Sequence, residues 1–197
     1  MIAQQRFQKA IQLFDELNSK DPNKEDFAGD THAKELLYAQ RMTERLQVFA
    51  PNASEALQLA ARCQHICRWE IPRSTFPTGR KGYNQWRSTL RSFHAEKAAT
   101  ILQKVGYEEA MIDKVQFLVL KKQLKRNKET QILEDVICLV FLEFYFTNFA
   151  AGHEEEKVID ILQKTWRKMS EEGQKAALDL PLNEGALDLI KKALGPA

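Results

Sequence analysis

Apolar residues recur at three- and four-residue spacing along nearly the whole chain, the period of helices with one buried face. Ile2, Phe7, Ile11, Phe14 and Leu17 mark a first helix over about residues 3–19. KDPNKEDFAGD then reads as a loop, and Asp30 or Thr31 is placed to cap a second helix running to about Phe49. Pro51, Asn52 and Ser54 close that helix and cap the next, over 54–69. Ser88 starts another, with Phe93, Ala98, Ile101, Leu102 and Val105 on one face and Gly106 as its stop. Helices over 109–124, 129–150, 154–171 and 184–194 complete the pattern. No stretch sustains the period-two alternation of a half-buried strand. The expected class is therefore all-α, a single compact helical domain over 1–197. Residues 70–87 are the one long irregular insertion in this scheme, and such insertions in compact domains tend to be functional or disordered.

Composition narrows the picture. A chain of 197 residues can bury a core without disulfides or metal staples, and a net charge of +2 demands no polyanionic partner. Cys63, Cys67 and Cys138 are an odd number, and the amphipathic start MIAQQRFQKAIQLFDEL lacks the features of an export signal, so reduced thiols and a cytoplasmic location are expected. The most apolar run, VICLVFLEFYFTNFAA, carries Glu143 and falls short of the roughly 20 residues a bilayer requires. It is expected to be a buried helix, with no membrane as partner.

Polar residues in apolar settings are the candidates for chemistry. His65 lies in LQLAARCQHICRW, His94 follows Phe93, and His32 opens the expected second helix. Taken singly, each reads most simply as a hydrogen-bonded or partly exposed histidine, and His153 in AGHEEEK as an exposed helix start. Glu134 and Asp135 interrupt ILEDVICLVFLEF, where a lone buried carboxylate costs several kcal/mol unless paired, metal-bound or facing water. Nitrogens and a carboxylate on different helices together suit a divalent transition metal. Cys63 and Cys67, one turn apart, lack the further ligands of a structural zinc site and read as buried thiols. Glycine-rich phosphate loops, GxSxG and HExxH are absent.

The order of these residues resembles the HD superfamily of helical, metal-dependent phosphohydrolases. THAKELLYAQRM resembles its first element, LAARCQHICRW its His-Asp doublet helix, FHAEKAATILQKVGY its later histidine helix and ETQILEDVICLVFLE its late aspartate helix. The resemblance covers about residues 28–150 and implies an HD-like orthogonal helix bundle, with helices over 154–194 packed on it. It implies a divalent ion (Zn, Fe, Mn or Ni) held by His32, His65, His94 and Asp135. The departure is Gln64-His65 where the family has His-Asp, which removes one negative charge and favours a single metal over two. Gln64, His94 and Glu134 are then the candidates for proton transfer or for contact with the metal's water. The whole chain is also similar to an uncharacterised family of short proteins, classed as a domain of unknown function, which shares the RWxxPR and KTWRKMS stretches.

Arg68, Arg73, Arg80, Lys81 and Arg87, with Trp86, crowd the segment after His65. Guanidinium groups pair with oxyanions in bidentate fashion, so these residues are expected to bind substrate; the plainer reading is a solvated loop pinned by its aromatics. KKQLKRNK reads as a solvated helix end. The expected function is hydrolysis of a small phosphorylated or anionic metabolite, a nucleotide among the options. The alternative is a non-catalytic helical module that binds an anionic ligand, RNA or protein through the arginine-rich loop. A small anionic metabolite is favoured over nucleic acid as partner, and oligomeric state is not legible in the sequence.

Overall fold

The computed structural model describes residues 2–195; Met1, Pro196 and Ala197 of the expected 1–197 domain lie outside the described residues. Ten α-helices and one small hairpin form the regular structure of the described residues, so the class is all-α.

The hairpin was not expected. After α1 (Ile2–Asn18), β1 (Lys24–Phe27) pairs antiparallel with β2 (Asp30–Ala33), Phe27 opposite Asp30. Ala28 (φ 52°) and Gly29 (φ 91°) form its two-residue turn, both left-handed as a type I′ turn requires. Asp30 and Thr31 therefore lie in a strand and cap nothing, and α2 (Lys34–Phe49) begins after them.

Local chemistry sets most other boundaries. Ser54 Oγ accepts the Leu57 N–H and starts α3 (Glu55–Arg62). That helix ends before His65, which lies in a turn and not on the expected longer helix. Two short 3-10 turns, Arg68–Glu70 and Arg73–Thr75, lead to α4 (Gly79–Val105), which starts well before the expected Ser88. Gly82 explains the early start: a Cβ there would lie 1.9 Å from the Pro77 carbonyl oxygen, so only glycine lets the preceding chain close against the helix. Gly106 (φ 88°) ends α4 in the left-handed conformation. α5 (Glu109–Val119) stops short of the expected residue 124, where Lys121, Gln123 and Lys125 are all left-handed. Asn127 caps α6 (Lys128–Val140), and a π-helical turn (Phe141–Tyr145) separates it from α7 (Phe146–Ala151). The helix expected over 154–171 divides into α8 (Glu155–Lys168) and α9 (Glu171–Leu178), because Ser170 caps the second piece. Asn183 caps α10 (Glu184–Leu194).

The chain forms two compact units. The first contains the chain up to Gln47 together with Pro51–Lys122; the second contains Val48–Ala50 and the chain from Gln123 on. In the first, α4 packs on α1 and α5, and α3 packs on the same two helices. Phe14, Met42, Leu57, Leu59, Leu90 and Leu102 are fully buried in it, each such side chain contributing about 1.5–3 kcal/mol. In the second, α8 pairs with α10 and α6 with α9, around Leu139, Leu142, Phe146, Leu162 and Ile190. Among the described residues, no helix is long and apolar enough to cross a membrane.

Candidate functional site

The start of α2 and the turn after α3 bring a group of polar side chains together inside the first unit. Asp21, itself buried, accepts the Glu35 N–H at Oδ2 (3.0 Å) and so holds the first turn of α2. Glu35, Tyr38, Met42 and Leu46 follow at i, i+3, i+7 and i+11, all buried. A carboxylate thus occupies the first position of an apolar stripe.

His65 meets that stripe. Its ring stacks on Tyr38, with centroids 4.1 Å apart and planes 13° from parallel. His65 Nδ1 lies 3.3 Å from Glu35 Oε2, and Arg68 Nη1 lies 3.4 Å from His65 Nε2. Arginine can only donate, so Nε2 is the accepting nitrogen and the proton sits on Nδ1, facing the carboxylate. Arg68 Nε is 3.8 Å from Glu35 Oε1, and its guanidinium lies 4.7 Å above the Trp86 ring. Trp86 is fixed in turn by its indole N–H, which donates to the Ile71 carbonyl. His94 stands beside the group, its ring 5.8 Å from that of His65. It is buried and bonds through Nδ1 to the Ile66 carbonyl (2.8 Å), so Nε2 carries a bare lone pair. That Nε2 and the Oε1 of buried Gln64 have no hydrogen-bond partner among the described residues.

Burial shifts the titration of this group. It raises Glu35 to about 7, with Arg68 the main opposing influence. It lowers His65 well below the usual imidazole value, and Arg68, His94, Arg87 and Lys121 add to the effect. His94 falls to about 3 for the same reason, despite its bond to Ile66. Both imidazoles are therefore neutral at neutral pH, and Glu35 is divided between its acid and its carboxylate.

The other expected residues are distributed differently. His32 is half-buried on β2 with Glu25 as its strand partner. Arg73 donates to the Phe76 and Pro77 carbonyls, closing the segment before α4. Arg80 and Lys81 are exposed at the start of α4, and Arg87 donates to the Tyr83 hydroxyl while its charge bears on His65. Glu134 and Asp135 belong to the second unit. Asp135 accepts from Ser170 N–H (2.8 Å), Ser170 Oγ (2.7 Å) and Gln131 Nε2 (3.0 Å), which ties α6 to the cap of α9. Glu134 is buried with Lys168 Nζ at 4.0 Å. Among the described residues, no three His, Cys, Asp or Glu side chains cluster closely enough to hold a metal ion. Cys63, Cys67 and Cys138 are buried and unbridged, and burial raises the Cys63 thiol to about 12.

Glu35 and Tyr38 are the members of the group that sequence reasoning missed. The available signal was an acid in register with Tyr38 and Met42 on the apolar face of THAKELLYAQRM, the stretch whose His32 had drawn attention.

Searches of curated proteins and of solved structures return no match. The family described as Domain of unknown function (DUF4202) matches residues 8–190, nearly the whole chain, and the protein belongs to that family.

Proposed function

We propose that the protein hydrolyses a small phosphorylated or otherwise anionic metabolite at the His65 group of the first unit. The observation that carries this reading is charge: Arg68, Arg87 and Lys121 all bear on a neutral His65, while the carboxylate in contact with it is Glu35. An anion fits that field. Arg68, braced on Trp86, is the planar donor for its oxygens. His65 Nε2 takes a proton from the attacking water as its Nδ1 proton passes to Glu35, and the leaving oxygen later receives that proton. An acid that titrates near neutrality suits such a role. Glu35 takes the part first expected of Glu134.

A divalent ion (Zn, Fe, Mn or Ni) belongs to the proposal at one of the four expected ligands. His94 directs Nδ1–H to the Ile66 carbonyl and keeps Nε2 unprotonated, as ligating imidazoles do, while Nε2 of His65 is kept for the proton transfer. When bound, the ion would supply an activated water and charge for the phosphoryl oxygens. The HD-like resemblance and the three unbridged thiols support a cytoplasmic phosphohydrolase in this reading.

Phosphate release from a panel of phosphomonoesters, with and without added Mn²⁺ or Zn²⁺, tests the proposal. Turnover is expected in the wild type and is lost in Glu35→Gln. No turnover, combined with no binding of inorganic phosphate, overturns it. The exposed start of α4, with Arg80, Lys81 and Tyr83 (43 % exposed), favours a second reading as an RNA-binding surface. Tight RNA binding with a steep salt dependence would support that one instead.

A further inference from the structure

The turn that carries His65 and Arg68 reverses at Cys67, whose φ of 52° is left-handed. A residue with a side chain stays in that region only where its surroundings hold it. The grip comes from α1. Asn18, its last residue, accepts the Cys67 N–H at Oδ1 (3.0 Å), and both residues are buried. The Cys67 N–H can only donate, so the amide oxygen must face it; the Asn18 Nδ2 has no partner among the described residues. The amide is used for its acceptor. On either side of Cys67 the turn is also closed: Ile66 N–H donates to the Cys63 carbonyl, and Arg68 N–H to the His65 carbonyl, each at 3.0 Å. Only one backbone angle in this turn needs outside support. That angle sets where Arg68 leaves the turn, and with it the 3.4 Å approach of Arg68 to His65 Nε2.

We propose that Asn18 is a positioning residue: by holding the Cys67 N–H it keeps residue 67 left-handed and so fixes His65 and Arg68 in the arrangement that receives the anion. The role in binding rests on the anion-site reading above; the effect on the turn does not. Asparagine suits the place because it offers a neutral acceptor, where a carboxylate would bury a charge.

The test uses the full chain labelled with ¹⁵N-histidine, together with titration of inorganic phosphate. In the wild type, His65 should show one protonated and one bare ring nitrogen, well separated in ¹⁵N shift. Asn18→Ala is expected to move those shifts toward the tautomer average and to weaken phosphate binding about tenfold, the loss of roughly one hydrogen bond's worth of organisation. Adding Cys67→Gly, which adopts a left-handed φ without strain, should restore both. If Asn18→Ala does not fold, Asn18→Ser takes its place with the same readouts and the same rescue. Unchanged His65 shifts in the Asn18 variant overturn the proposal. So does a change that Cys67→Gly fails to reverse, since Asn18 would then act through something other than that backbone angle. A wild type that binds no phosphate removes the anion reading, while the His65 shifts still report on the latch by themselves.

Discussion

Glu35 in the first unit and Asp135 in the second are both buried carboxylates, and they are treated in opposite ways. Asp135 receives three hydrogen bonds of 2.7–3.0 Å from Ser170 and Gln131. Glu35 is left with side-chain contacts of 3.3 Å to His65 and 3.8 Å to Arg68. Burial raises both: it brings Glu35 to about 7, while at Asp135 the Ser170 and Gln131 donors oppose it. A saturated carboxylate is a structural tie. One with long, few contacts keeps the capacity to exchange a proton and to accept a new partner.

The largest expected effects separate the two by different readouts. Asp135→Ala strands the Ser170 and Gln131 donors and should cost about 3–4 kcal/mol in urea unfolding. Glu35→Gln removes a half-titrated buried acid; it should change stability at neutral pH by less than about 1 kcal/mol while lowering turnover a hundredfold or more. A stability loss at Glu35 as large as that at Asp135 would erase the contrast.

The pH dependence sharpens it. The folded pKa of Glu35 is raised from 4.5 to about 7, so its contribution is fully present below 4.5 and is lost as pH rises to 7, a change of up to about 3 kcal/mol. His94 runs the other way: lowered from 6.5 to about 3, it contributes above 6.5 and loses that contribution as pH falls, with His65 in the same direction. The histidines outweigh Glu35 throughout this range, so unfolding free energy should rise with pH and level off near 7. In Glu35→Gln the opposing contribution is gone and the rise between pH 4.5 and 6.5 should be steeper, which chemical denaturation at closely spaced pH values will read.

Smaller effects follow from close packing. A Cβ at Gly173 would come within 2.7 Å of Asp135 Cγ, so Gly173→Ala should cost about 1–3 kcal/mol in the same unfolding assay. Arg73→Ala releases the Phe76 and Pro77 carbonyls at a half-buried site and should cost about 1 kcal/mol, with phosphate affinity unchanged. A weakened affinity would return Arg73 to the binding set in which the sequence had placed it.

Much of this fold could be read from periodicity, since three- and four-residue spacing survives in every long helix. Ser54 and Gly106 act as the boundary markers they resemble. The hairpin was illegible because its turn is Ala28-Gly29, not the Asn-Gly or Asp-Gly that signals a type I′ turn, and its strands are only four residues long. The early start of α4 was hidden for a related reason. A glycine such as Gly82 in a stretch that also holds proline reads as a turn, whereas here it admits a carbonyl against a helix. His65 and His94 were visible as histidines among apolar residues; Glu35 was not, because an acid near a helix start has an ordinary explanation in the helix dipole.

The sequence alone determined the helical class, the burial of the three thiols and the histidines worth following. These depend on local spacing and on which side chains avoid water, both written in residue order. Only the tertiary structure decided that His65 answers to Glu35 and Arg68, and that Asp135 is spent on Ser170. Partner choice for a buried polar group depends on which donors come within about 3 Å, and that is set by the packing of distant segments.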